Sequence, residues 1–376
     1  MRFLHISDLH IGRRLNGFSL LEDQKDILSQ LLQHAQSCDA VLLAGDLYDK
    51  AQPSAESIRT AGDFLVSLSR MHKPVFVISG NHDTAEQVAY CRELLGECGV
   101  FMAPPFDGAI THHVLQDEYG PLYIWLLPFV RPASVRPFFP HVHTYEDAVR
   151  AALETAQLDP QARHVLLAHQ YVSGAEICDS ETRLIGGVDQ ISTSLFDGFD
   201  YVALGHLHSP QKLCGGRVRY CGSPLPYSLS EEHQRKAALI VELGPKGQLT
   251  VEEQPLTPLH PLRTVTGTLA NVSNPELYSE DYVFAILTDE SLLLDPLGAL
   301  RITYPRLLGM RLQNSRTNEQ AAVMQEINAE AFTPLEHFLT FYQAQNNGQT
   351  PDEKRIAVMK RIFEEAEVQQ HASDLA

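Results

Sequence analysis

Five short apolar runs in this chain each end on side chains that bind metal ions. They read Ile6-Ser7-Asp8-Leu9-His10, Ala44-Gly45-Asp46-Leu47-Tyr48-Asp49, Ser79-Gly80-Asn81-His82-Asp83, Ala168-His169-Gln170 and Leu204-Gly205-His206-Leu207-His208. In open α/β sheets, ligands bind in the crevice beyond the carboxyl ends of the strands. Five ligand-bearing strand ends, spread from residue 8 to residue 208, therefore ask for a fold that gathers them at one edge. A layered α/β architecture with strands buried on both faces does so.

Strands are predicted at Phe3–Ile6, Ala40–Ala44, Val75–Ser79, Tyr123–Leu127, Val165–Ala168, Tyr201–Leu204, Val218–Cys221 and Ala238–Leu243. Between them Leu20, Gln24, Ile27, Leu28, Leu31, Leu32 and Ala35 recur at helical spacing, as do Ile58, Ala61, Phe64, Leu65 and Leu68, which marks two amphipathic helices. A length of 376 residues points to two or three domains. Pro255, Pro258 and Pro261 punctuate a linker, because proline neither continues a helix nor donates to a sheet ladder. A first domain thus spans residues 1–255. Residues 262–313 read as strand (Leu262–Leu269), short helix, strand (Tyr282–Leu287), short helix and strand (Leu307–Leu312), a small α/β domain.

Residues 318–370 read as a helical hairpin. Thr333-Pro334-Leu335-Glu336 and Thr350-Pro351-Asp352-Glu353 each place Thr at the N-cap, Pro first in the helix and Glu at the third position, and Asn346-Asn347-Gly348 separates them. Leu335, Phe338, Leu339 and Tyr342 form one apolar stripe, and Ile356, Met359, Ile362 and Phe363 another. Such faces either pack on each other and on the body, or dock a partner helix or coiled coil.

The ligand set defines a chemistry. Asp8, Asp46 and Asp49 in one place resist joint ionisation unless cations sit among them. Asp, Asn and His together offer the hard oxygen and borderline nitrogen donors that suit Mn²⁺, Fe²⁺ or Zn²⁺. One carboxylate, Asp46, can bridge two metals about 3.5–4 Å apart, the spacing used for in-line attack on phosphate esters. Asp8-x-His10, Gly45-Asp46-x-x-Asp49, Gly80-Asn81-His82-Asp83, His169 and Gly205-His206-x-His208 resemble the five signatures of the calcineurin-like metallophosphoesterase superfamily. With Tyr220-Cys221-Gly222-Ser223-Pro224 and the wording around each signature, the whole chain resembles its bacterial SbcD branch, nucleases of DNA double-strand-break repair.

The resemblance implies a β-sandwich flanked by helices, a capping domain and a C-terminal segment that docks on a coiled-coil ATPase partner of the SbcC type. It also implies two divalent ions, Mn²⁺ in this branch. Asp8, His10, Asp46 and His208 would hold one, and Asp46, Asn81, His169 and His206 the other. His82 would then face the scissile phosphate and stabilise the transition state or protonate the leaving oxygen, a role imidazole fills because it exchanges protons near neutral pH. Asp49 and Asp83 would orient histidines or metal waters. Archaeal and eukaryotic members carry a histidine where this chain has Asp49. The implied activity is exonuclease cutting of duplex ends and endonuclease cutting of hairpins, by a homodimer within a heterotetramer.

Arg13 and Arg14 follow the first metal loop and are either DNA-phosphate contacts or solvated arginines. Charge argues against a free-standing DNA coat: 29 Lys and Arg stand against 47 Asp and Glu, a net −18. Metal ions and a partner would have to supply positive charge. No apolar run approaches a membrane span of about 18 residues, and the opening residues hold no signal-peptide core. The cytoplasm, and the nucleoid when on DNA, is the expected location. The cysteines, at 38, 91, 98, 178, 214 and 221, are expected to be reduced and mostly buried, with Cys214 and Cys221 as small core residues. His72, His112, His113, His141 and His143 read as surface or loop residues. Two rivals remain: a phosphatase or cyclic-nucleotide phosphodiesterase, disfavoured by Lys50 where phosphatases of the superfamily place an arginine, and a non-catalytic scaffold.

Overall fold

A computed structural model of the chain describes residues 1–176, 178–181, 190–291, 293–315, 338–339, 342–343, 350–352 and 354–359. The chain divides into two compact units, Met1–Ile286 with Leu294–Arg311, and Leu287–Leu293 with Leu312–Ala376.

The first unit is a four-layered α/β sandwich. One six-stranded sheet contains β1 (Arg2–Ile6), β2 (Ala40–Ala44), β3 (Val75–Ile78) and β4 (Val100–Met102), all parallel. The second is built from β5 (Thr111–Asp117), β6 (Gly120–Leu126), β7 (Arg163–His169), β8 (Tyr201–Gly205), β9 (Gln211–Leu213) and β10 (Val218–Tyr220), in the order β9-β10-β8-β7-β6-β5. The chain then returns to the first sheet with β11 (Ala237–Leu243) and β12 (Leu249–Pro255), which extend it antiparallel beyond β1.

Alternation along each strand divides the core. On β1, Phe3 faces the second sheet and packs among Leu42, Phe76, Ile124, Leu167 and Val241. Leu4 and Ile6 point the other way, under α1 (Leu21–Ala35) and α2 (Ala55–Ser69), with Ile27, Leu31, Phe64 and Leu68. The outer face of the second sheet is covered by α3 (Tyr145–Glu154), whose Ala148, Val149 and Ala152 meet Trp125, Leu166 and Val202. These strands are buried on both faces, as the runs of apolar residues predict.

β13 (Leu262–Gly267), β14 (Tyr282–Leu287) and β15 (Leu307–Leu312) form a separate three-stranded sheet. Buried Asp23 of α1 accepts from the His260 amide at 2.9 Å and from the Tyr282 hydroxyl at 3.0 Å, so that sheet is tied to the first helix.

Several expectations are corrected. Only Cys38 and Cys221 are buried; Cys91, Cys98 and Cys214 are exposed and Cys178 is half-buried. Cys214 sits at φ 48° in a tight turn at the surface. His113 is not a loop residue: it lies on β5, half-buried, its ring 4.3 Å from that of Phe101. Near the C-terminus, Asp352 rather than Thr350 caps the helix, since its carboxylate accepts from the Arg355 amide at 2.8 Å. Phe338, Leu339, Tyr342, Ile356 and Met359 are helical, with Tyr342 5.9 Å from the Phe338 ring and under the Arg355 guanidinium. Leu335, Ile362 and Phe363 lie outside the described residues.

Candidate metal centre

The carboxyl ends of β1, β2, β7 and β8 meet at one edge of the sandwich. The Asp8 amide donates to Gly45 O at 3.1 Å and the His10 amide to Asp46 O at 2.9 Å, which zips the first two loops together. Across the sandwich Gly205 pairs with His169 in the ladder between β8 and β7. The glycines in these motifs are there for space: a Cβ on Gly205 would overlap the Ala44 carbonyl, and one on Gly80 would overlap the Asp46 carboxylate. Asp8, His10, Asp46 and His206 all adopt positive φ (53°, 42°, 51° and 102°), a conformation costing roughly 1–3 kcal/mol that survives only where surroundings enforce it.

These turns bring the predicted ligands together. Asp46 Oδ2 lies 3.2 Å from His169 Nε2 and 3.5 Å from His10 Nε2. Asn81 Oδ1 lies 3.0 Å from His169 Nε2 and 2.9 Å from His206 Nδ1. His10 Nε2 and His208 Nε2 are 3.2 Å apart. Asp8, His10 and His208 can address one point in space, as can Asp8, Asp46 and His169. His82 is also near: His10, Asp46 and His82 form a third such group. Its amide donates to Asp46 Oδ1 at 2.9 Å and its Nδ1 to Asp49 O at 3.2 Å.

The donor set fits cations. His169 donates Nδ1–H to Ala44 O at 2.8 Å, so its Nε2 is the nitrogen aimed at the oxygens of Asn81 and Asp46. Lone pairs that converge in this way repel unless a positive charge stands between them. Burial pushes the Asp8 carboxyl up to about 7, and the nearby Asp46 adds to the shift. For Asp46 burial acts in the same direction, but His169, His10 and His82 outweigh it and hold the carboxyl well below the usual range. Burial opposes charge on His169 too, yet Asp46 and Asp8 raise it to about 9. Burial keeps His10 and His206 neutral, His206 down at about 3, and lowers His208. The pocket therefore holds Asp46 ionised and His10 and His206 neutral, the forms that bind metals, while His169 keeps a proton that an entering ion would displace.

The remaining predicted residues surround this centre. Asp83 accepts from the amides of Gly80 at 2.7 Å and Leu47 at 2.8 Å, and so braces two of the loops. Asp49 Oδ1 is 3.8 Å from His10 Nδ1, a buried nitrogen with no hydrogen-bond partner among the described residues, and 2.8 Å from Arg13 Nη1. Arg13 is thus committed to Asp49 and stacks over the Tyr227 ring, whereas Arg14 is exposed and bonds Gly17 O. Lys50 is exposed at the rim. Sequence reading missed the polar group behind His208, formed by Ser180, Glu181, Glu231 and Lys236. The run Ser228-Leu-Ser-Glu-Glu-His-Gln-Arg-Lys236 looks like a solvated face, and only its nearness to Gly222-Ser223-Pro224 hints otherwise.

Comparison with known proteins shows the family. Residues 1–210 match the family model described as calcineurin-like phosphoesterase. The chain belongs to the calcineurin-like phosphoesterase family. As a member it is an enzyme, a metal-dependent phosphodiesterase. Residues 258–346 of this phosphoesterase match a second model, described as type 5 capsule protein repressor C-terminal domain. The phosphoesterase is 32% identical over 321 residues to the SbcD subunit of the SbcCD nuclease of Staphylococcus epidermidis, covering 82% of this chain and 85% of that one. This places it in the SbcD family. Two solved structures are similar at lower overlap. A dimetal phosphatase from Danio rerio shares 11% identity at TM-score 0.40, over 68% of this chain and 96% of that one. The protein TT1561 of Thermus thermophilus shares 17% at TM-score 0.36, over 67% and 98%.

Proposed function

We propose that this phosphoesterase is the nuclease subunit of a DNA end-processing complex, cutting phosphodiester bonds at duplex ends and hairpins beside an SbcC-type ATPase. The observation that carries the reading is the agreement between the gathered ligand set and the 32% identity to an SbcCD nuclease subunit across most of both chains. In our reading Asp8, His10, Asp46 and His208 hold one divalent ion and Asp46, Asn81, His169 and His206 the other, with Mn²⁺ the physiological metal. When bound, such a pair polarises the phosphoryl oxygens and activates water.

The chain's own residues do the rest. Asp46 orients His82 through the His82 amide. Because Nδ1–H of His82 donates a hydrogen bond to the Asp49 carbonyl, Nε2 is the nitrogen free to face the departing oxygen, and it would pass on the second proton of the imidazolium form. Asp49 and Asp83 keep His10 and the loops in register. We assign residues 1–255 to the nuclease body, 262–313 to the cap and 318–370 to partner docking. Tyr342 and Arg355 meet, as hairpin packing requires.

Self-association is assigned to α2 and the segment after β3. Ile58, Val66, Tyr90 and Leu94 there are 50%, 48%, 76% and 71% exposed beside a groove lined by Leu65, Val88, Leu95 and Met102. The complex would work in the cytoplasm, on the nucleoid. Among the described residues no helix is long and apolar enough to cross a membrane.

The test is cleavage of an end-labelled duplex and a DNA hairpin with Mn²⁺, with and without the ATPase subunit and ATP. His82→Ala is expected to lose about 10²–10⁴-fold in rate while metal content stays unchanged. Brisk hydrolysis of para-nitrophenyl phosphate with DNA left intact would instead favour a phosphatase.

A further inference from the structure

The fold buries a lysine and a glutamate directly behind His208. Glu231 is 1% exposed and Lys236 5%, with Nζ 2.6 Å from Oε2. His208 O, Ser223 Oγ and Gln234 Oε1 each lie 2.9 Å from Nζ and share its remaining two protons. The Glu231 carboxylate accepts from the hydroxyls of Ser228 at 3.0 Å, Ser223 at 3.2 Å and Ser180. A buried ion pair of this kind rarely recovers its desolvation cost as stability. Here its hydrogen bonds converge on the backbone and imidazole of one residue.

The proton count fixes a tautomer. Ser180 has one hydroxyl proton, and it goes to Glu231. Ser180 Oγ, 2.7 Å from His208 Nδ1, must therefore accept Nδ1–H. That leaves a lone pair on His208 Nε2, the atom facing His10 Nε2. Glu181 accepts the His208 amide and so holds the backbone from the other side.

We propose that Glu231, Ser180 and Lys236 are positioning residues: a Lys–Glu–Ser relay that sets the tautomer and ring orientation of His208 so that Nε2 addresses a divalent cation. Lys236 secures Glu231, Glu231 orients the Ser180 hydroxyl, and Ser180 reads out on the imidazole. Partners of this type change metal affinity by about 10–100-fold. The inference rests on His208 being a ligand, as proposed above.

The experiment is calorimetric titration of the full chain with Mn²⁺, together with the visible absorption spectrum of the Co²⁺-loaded chain. Glu231→Gln and Ser180→Ala are each expected to weaken one of the two ion sites by about tenfold, to shift the Co²⁺ bands and to leave the other site unchanged. Ser180→Thr, which keeps the hydroxyl, is expected to restore both readouts. A folded Ser180→Ala chain that binds both ions like the unsubstituted one overturns the relay, as does equal loss in Ser180→Ala and Ser180→Thr. If Glu231→Gln does not fold, the two Ser180 variants decide alone. His208→Ala separates the two claims: unchanged binding of both ions there would overturn the ligand reading itself.

Discussion

Asp8 and Asp46 are buried within reach of the same histidine, and the pocket treats them differently. Burial, with Asp46 next to it, raises Asp8 to about 7, so in the ion-free chain Asp8 holds its proton below that pH. An ion that enters below pH 7 must displace that proton. Apparent Mn²⁺ affinity is therefore expected to fall by up to about tenfold per pH unit below about pH 7 and to level off above it, as far as this group is concerned. Calorimetry in two buffers of different ionisation enthalpy would count the released protons, His169 contributing its own on both sides of pH 7, and a count that does not rise below pH 7 would show Asp8 already charged. Asp8, His10, Asp46, Asn81, His169, His206 and His208 were legible because each follows an apolar strand run at fixed spacing. Glu231 and Lys236 were not, because charged residues within a polar run normally stay in water, and only the tertiary fold puts these inside.

At the level of elements, the site depends on how closely β8 crosses β2. Gly205 faces the Ala44 carbonyl with no room for a methyl group. Gly205→Ala is expected to destabilise the chain by about 1–3 kcal/mol and to lower its metal content, measurable by thermal unfolding and elemental analysis. The opposite end of the sandwich carries a different fastening. Buried Arg163, at the start of β7, pairs with Asp117 at the end of β5, and its hydrogen bond holds that carboxyl down to about 2. With a folded pKa below the unfolded value of 3.8, the pair contributes stability above about pH 4 and loses it as pH falls through about 2. Asp117→Asn, which leaves Arg163 unpaired, is expected to cost about 2–3 kcal/mol at neutral pH, with little difference from the unsubstituted chain in strong acid. Chemical denaturation at both pH values checks it. The central strands were readable from their apolar runs, whereas β4, β5, β9 and β12 were not. β4, β5, β9 and β12 lie at the ends of the sheets, and the burial of β5 and β12 falls on only one face. One such edge, β12, tolerates Pro255 as its last residue.

For the molecule as a whole, charge and shape divide the work. A net −18 leaves little to attract a polyanion. The isolated, metal-free chain is accordingly expected to bind duplex DNA weakly, and nanomolar, salt-resistant binding in an electrophoretic shift would contradict the need for ions and a partner. The exposed apolar face around Tyr90 and Leu94 is expected to join two copies. Tyr90→Glu with Leu94→Glu should convert a dimer to a folded monomer by light scattering, and a monomeric unsubstituted chain would remove that assignment. The proposed ligands come from both halves of the sandwich, with Asp8, His10, Asp46 and Asn81 following strands of one sheet and His169, His206 and His208 following strands of the other. Ions held between them would rivet the two sheets together at the edge where the Asp8, His10, Asp46 and His206 backbones are most contorted. Loading the metal would then complete the architecture as well as the chemistry, adding bonds through the ions to the hydrogen bonds, such as that from His169 to Ala44 O, that already join the sheets there.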